Sequence, residues 1–158
     1  MKKSVLIFII SLITTFCAFS QSAEFIDKML STSEASYTSA CYISAVTQGF
    51  INEKATFEEA YNALYEKGQI SKKVSEETKL AYKDAAELFA RMWNIKGGLM
   101  FRATKGSARY AFKQMKSDGV IAQNQDPDKI LSGLELLNFY TKGTNIYLPE
   151  EQSSFENQ

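Results

Sequence analysis

Beyond residue 23 the apolar positions recur three and four residues apart rather than every second residue, and only Pro127 and Pro149 interrupt the chain. That spacing predicts an all-α domain, because a half-buried strand would alternate. A first helix is expected over much of 24–49, with Phe25, Met29, Tyr37, Cys41 and Ser44 following one face. Thr56 and Glu59 then form a capping-box pair, in which each side chain satisfies a free backbone N–H at the helix start. The helix they open carries Phe57, Ala60, Tyr61, Leu64 and Tyr65 on one stripe and stops at Gly68. A third is expected from near Ser75 through Leu80, Ala81, Ala85, Leu88, Met92 and Ile95 until Gly97-Gly98 breaks it. After a short piece at 99–104, Ser107 caps a fourth, with Ala108, Ala111, Phe112 and Met115 inward and Gly119 at its end. The fifth runs from about 131 to 141, buries Leu134, Leu137 and Phe139 or Tyr140, and ends at Gly143. The expected architecture is a compact bundle of about five helices over 21–148, with the polar stretch 149–158 as a flexible tail.

Two of these helices end alike. Ala60-Tyr61-x-x-Leu64-x-x-x-Gly68-x-Ile70 matches Ala111-Phe112-x-x-Met115-x-x-x-Gly119-x-Ile121 at an offset of 51, and a polar loop and another apolar helix follow each. One helix-loop-helix unit used twice would produce this; so would any two helices closed by a left-handed Gly that returns the chain to the core through Ile. The second unit continues through Asp126-Pro127-Asp128 to Leu131-Ser132-Gly133-Leu134-Glu135. It resembles an S-layer homology repeat, whose pattern is helix, Gly-x-Ile, an Asp-bearing loop and a Thr-Arg-Ala-Glu start to the next helix. Here Ser132 stands for the Thr and Glu135 for the Glu, while Gly133 replaces the Arg. The resemblance implies a helical module that holds a bacterial protein to cell-wall polymer. Ile95-Lys96-Gly97-Gly98-Leu99-Met100 together with Ala108-Arg109-Tyr110-Ala111 also resembles small exported proteins of spirochaetes.

The N-terminus reads as an address rather than as part of the fold. Lys2 and Lys3 precede a fifteen-residue apolar run, Val5 to Phe19, followed by small residues, which is the order of a secretory signal peptide. The run is short for a membrane span, which needs roughly 20 residues. Cleavage ahead of Gln21, after Ala18 and Ser20, leaves an expected periplasmic protein. Lipidation at Cys17 is the alternative, and it alone would attach the chain to the membrane. With Cys17 removed, Cys41 has no partner for an internal disulfide and reads as a buried thiol.

Composition narrows the chemistry. The 158 residues are 45% hydrophobic, enough for the core of one domain. Eighteen basic residues balance eighteen acidic ones, so no global charge draws the chain to nucleic acid. There is no histidine, which excludes Ser-His-Asp and Cys-His sites. Glu58/Glu59 and Glu76/Glu77 lie in expected first helical turns, where acids suit the dipole, and adjacent helical positions diverge. No cofactor motif is present, and the expectation is a protein without catalysis.

The charge is locally biased instead. Arg91, Lys96, Arg102, Lys105, Arg109, Lys113 and Lys116 fall between Leu88 and Ser117 without one acid, and Trp93, Phe101 and Tyr110 are interleaved with them. Gly97-Gly98 and Gly106-Ser107 add backbone N–H groups near helix starts, which favour anions. Arg102, Lys105, Ser107, Arg109, Lys113 and Trp93 are therefore the candidate binding residues, with Arg102, Lys105 and Arg109 expected to converge near Ser107. The other reading is a solvated face answering Glu58, Glu59, Glu76, Glu77, Asp84 and Glu87. A twelve-residue calcium loop at 124–135 is a further alternative; Lys129 stands at its sixth position, where the sharp turn needs Gly. The expected function is a binding or scaffolding module of the bacterial cell envelope, recognising an envelope protein or an anionic envelope polymer. The alternative is a periplasmic carrier of a small ligand or calcium.

Overall fold

The computed structural model describes residues 26–70, 75 and 77–148; the expected leader and tail lie outside them. Among the described residues the fold is all-α, with seven helices and no strand beyond isolated bridges. They are α1 over 26–31, α2 (Tyr37–Thr47), α3 (Phe57–Glu66), α4 (Tyr82–Met92), α5 (Leu99–Ala103), α6 (Ala108–Ser117) and α7 (Gly133–Tyr147).

The helix bounds follow the same offset. Adding 51 carries Phe57–Glu66 onto Ala108–Ser117, and the first residue of α4, Tyr82, onto the first of α7, Gly133. Gly68 and Gly119 both take the left-handed backbone, with φ of 68° and 83°. The next residue then donates its N–H to the backbone carbonyl of a buried residue, Gln69 to Leu64 (2.9 Å) and Val120 to Met115 (3.0 Å). These bonds satisfy orphan carbonyls of the last turn and steer the chain back into the core. The buried sets also correspond: Ala60 and Ala111, Leu64 and Met115, Ile70 and Ile121, Leu80 and Leu131, Ala85 and Leu136, Leu88 and Phe139.

Where the units meet, three short extended segments close a ring. The Ala35 N–H donates to the Leu131 carbonyl (2.7 Å), Leu131 to Leu80 (3.0 Å) and Leu80 back to Ala35 (2.8 Å). A second set, with each donor two residues further on, runs the opposite way round: Tyr37 donates to Thr78 (2.7 Å), Tyr82 to Lys129 (3.1 Å) and Gly133 to Thr32 (2.9 Å). Each donor of the second set is the first residue of α2, α4 or α7, so one hub satisfies the free N–H groups at three helix starts. The hub also makes the 51-residue repeat part of a threefold pattern, since α2 enters it as α4 and α7 do.

Several boundaries differ from the sequence expectation for this reason. The first helix is two, because residues 32–35 leave α1 to join the hub and Ser36 caps α2 by accepting from the Ser39 N–H (3.2 Å). The third begins at Tyr82 rather than near Ser75, Leu80 being extended and fully buried. It ends at Met92, where Asn94 (φ 51°) closes it before the Gly pair. The last runs through Gly143 to Tyr147 and turns Leu136, Phe139 and Gly143 inward, with Leu134 exposed. Gly143 is there for space: a Cβ would stand 1.9 Å from Trp93 Cη2.

Candidate functional site

The basic stretch follows α4, α5 and α6, and the fold divides it. Arg102 and Lys105 line a cavity of about 430 Å³ together with Arg91, Asn94, Ile95, Lys96 and Phe101. Arg109 and Lys113 line a second, of about 540 Å³, with Lys83, Phe112, Lys116, Pro127 and Asp128. The expected convergence of Arg102, Lys105 and Arg109 is thus replaced by two separate linings, Arg102 and Lys105 in one and Arg109 in the other. The left-handed pair Lys105 (φ 54°) and Gly106 (φ 67°) turns the chain between them.

Ser107 is the N-cap of α6, as expected, but its side chain makes no capping bond; its carbonyl receives the Tyr110 and Ala111 N–H groups. The Gly98 N–H at the start of α5 is occupied by Gln114 Oε1 (3.0 Å), whose amide donates in turn to Asp118 Oδ1 (2.9 Å). Tyr147 O–H donates to the other oxygen of Asp118 (2.6 Å). Burial first, and this bond second, raise the Tyr147 phenol above its ordinary range. The anion site foreseen at Gly97-Gly98 is therefore filled from within the protein.

Trp93 lines neither basic cavity. It is buried among Phe89, Phe139, Tyr140 and Tyr147, with ring centroids 5.2 to 6.5 Å away, and its indole N–H meets no acceptor among the described residues. Trp93, the C-cap of α4, continues the core face of that helix, which the sequence shows and which outweighs its basic neighbours.

Of the seven cations, Arg91 alone forms an ion pair among the described residues, with Glu87 one turn back (2.5 Å); its other nitrogen donates to the Gln69 carbonyl. Lys116 donates to the Gln123 carbonyl (2.7 Å) and lies over the Phe112 ring, and Lys113 lies over Tyr110. Lys96, Arg102, Lys105, Arg109 and Lys113 have no carboxylate within salt-bridge reach among the described residues. Three acids pair with bases outside the stretch: Asp128 holds Lys83, Glu34 holds Lys79 (2.7 Å) and Glu135 holds Lys129 (2.5 Å).

Four of the candidate ligands in the 124–135 loop, Asp126, Asp128, Ser132 and Glu135, already have partners. Asp126 accepts from the Asp128 N–H (2.9 Å), and Glu135 closes the capping box of α7 by accepting from the Ser132 N–H (2.9 Å). Burial works to raise the Glu135 pKa, but the bonds from Lys129 and Ser132 outweigh it and hold the carboxyl below its usual value. Among the described residues no three His, Cys, Asp or Glu side chains gather as a metal site. Cys41 is fully buried, which pushes its thiol pKa up to about 12.

Compared with protein-family models, with curated proteins and with solved structures, the chain matches none. No helix among the described residues is long and apolar enough to cross a membrane.

Proposed function

We propose that the protein is a non-catalytic binding module of the bacterial cell envelope, exported by its leader, that holds an anionic envelope polymer in the α6 cavity. The observation that carries this reading is the pair Arg109 and Lys113. They lie one turn apart on α6, face a cavity of about 540 Å³ and have no carboxylate within salt-bridge reach among the described residues, the one acid of the cavity lining, Asp128, being held by Lys83. Unpaired cations over a partly apolar floor of Phe112 and Pro127 suit a chain of sugar rings with anionic substituents. The cavity also lies in the stretch that resembles an S-layer homology repeat, between α6 and the Asp126-Pro127-Asp128 loop. The resemblance's missing arginine has a physical reason: a side chain at Gly133 would put its Cβ 1.6 Å from the Met29 carbonyl oxygen, because α1 lies on that helix start.

Retention on an anionic polysaccharide fraction of bacterial envelopes, with neutral dextran as control, tests the reading. Binding is expected to weaken as salt shortens the Debye length below about 8 Å. The double substitution Arg109→Gln, Lys113→Gln should abolish it with the melting temperature nearly unchanged, since neither cation is ion-paired within the fold. Equal, salt-insensitive retention by that variant would overturn the proposal.

A further inference from the structure

Helix α5 carries an apolar pair that the fold leaves bare. Phe101, its buried residue, is wedged between two glycines: a Cβ at Gly97 would come within 2.5 Å of it, and one at Gly106 within 2.9 Å. A five-residue helix anchored through that one ring has no second face to bury. Leu99 and Met100 are 81% and 60% exposed, the most exposed of the large apolar side chains among the described residues. Next to them the cavity of about 430 Å³ is lined by Arg91, Lys96, Arg102 and Lys105 and by no acid. Asn94 and Lys105, which also line it, are the two non-glycine residues with positive φ among those described. Both close a helix there, Asn94 ending α4 and Lys105 ending α5.

An apolar tip beside unpaired cations has a specific complement. A soluble anion or a sugar polymer would answer Arg102 and Lys105 but would leave Leu99 and Met100 in water. A bilayer with acidic headgroups answers both, because acyl chains receive apolar side chains while surface phosphates attract basic ones, and the two attractions add. We propose that α5 docks on an anionic phospholipid surface, Leu99 and Met100 entering below the headgroups and lipid phosphate lying in the cavity against Arg102 and Lys105. This contact uses residues other than those assigned to the polymer, and it needs no lipid on Cys17.

Vesicles of phosphatidylcholine with and without phosphatidylglycerol test it, with bromines on the acyl chains and Leu99→Trp as the reporter in the full chain. Trp93 is buried in the core and supplies a constant background. The new tryptophan is expected to shift to the blue and be quenched on phosphatidylglycerol vesicles, and to do neither on phosphatidylcholine alone. At about five-fold per charge, Arg102→Gln with Lys105→Gln in the reporter chain should weaken the quenching affinity some 25-fold. Arg109→Gln with Lys113→Gln should leave it within about five-fold. In the otherwise native chain, Leu99→Asn with Met100→Asn should retain the wild-type melting temperature, both side chains being exposed, and lose vesicle binding that depends on phosphatidylglycerol. A reporter that stays in water on anionic vesicles, is quenched equally on neutral ones, or is indifferent to Arg102→Gln with Lys105→Gln would overturn the inference. None of these results depends on retention of the polymer.

Discussion

Two glycines with opposite reasons for being glycine give the sharpest test at the scale of single residues. Gly119 has open space where a Cβ would go and needs only its left-handed backbone, so Gly119→Ala should cost about 1 kcal/mol. Gly143 is helical, and there alanine would gain about 1 kcal/mol of helix propensity. Its Cβ, however, would stand 1.9 Å from an indole ring that Phe89, Phe139, Tyr140 and Tyr147 hold from other sides. Overpacking of that kind costs about 3 kcal/mol, and the sum predicts a net loss near 2 kcal/mol for Gly143→Ala in urea unfolding. Trp93→Phe should recover part of that loss in the double variant, since the smaller ring makes room and the indole N–H it removes has no acceptor among the described residues. Purely additive effects of the two substitutions would show that the contact is not the cause. In sequence, Gly143 looks like a helix stop because a close approach from residue 93 leaves no local mark.

At the scale of the element, each related pair of helices has one member with a full capping box and one without. Thr56 with Glu59 caps α3, and Ser132 with Glu135 caps α7. At the matching positions of α6 and α4 stand Ser107 with Tyr110 and Ala81 with Asp84, and neither Ser107 nor Ala81 makes a side-chain capping bond. Thr56→Ala and Ser132→Ala should each cost about 1 kcal/mol, whereas Ser107→Ala should fall within about 0.5 kcal/mol of zero. Thermal melts of the three variants check this, and a Ser107 effect as large as the other two would contradict the geometry. The box at Thr56, the Gly68 and Gly119 ends and the spacing of α3 and α6 were legible because each is written in contiguous residues. The start of α4 was not. Leu80 and Ala81 continue the apolar pattern of Ala85 and Leu88, and hydrogen bonds of Leu80 to residues 35 and 131 and of Tyr82 to residue 129 hold this segment extended. The basic residues were legible as a stretch of like charge. Their division into two cavities was not, because it depends on where the left-handed turn at Lys105-Gly106 sends α6.

At the scale of the whole molecule, the hub explains how short helices make one fold. Helices of ten to fifteen residues are marginal alone, and five of the seven among the described residues are of that length, the other two being shorter. Their starts at Tyr37, Tyr82 and Gly133 are joined by hydrogen bonds between segments far apart in sequence, so no unit can leave the ring without stranding buried N–H and C=O groups of the other two. Ala35, Leu80 and Leu131 are buried, which removes water as a substitute partner. Amides in loops ordinarily exchange by local opening at small free energy, and those of helix centres by larger excursions. Here the order should reverse for three residues outside every helix: the amides of Ala35, Leu80 and Leu131 should exchange only on global unfolding. Their opening free energies are expected to equal one another and that of Phe89 at the centre of α4, and to fall together when Gly143→Ala lowers global stability. Native-state hydrogen exchange with increasing denaturant measures this. If the Ala35 amide opens at lower free energy than Leu80 and Leu131, α1 and α2 form a separate cooperative unit and the ring is a contact between units rather than the centre of the fold.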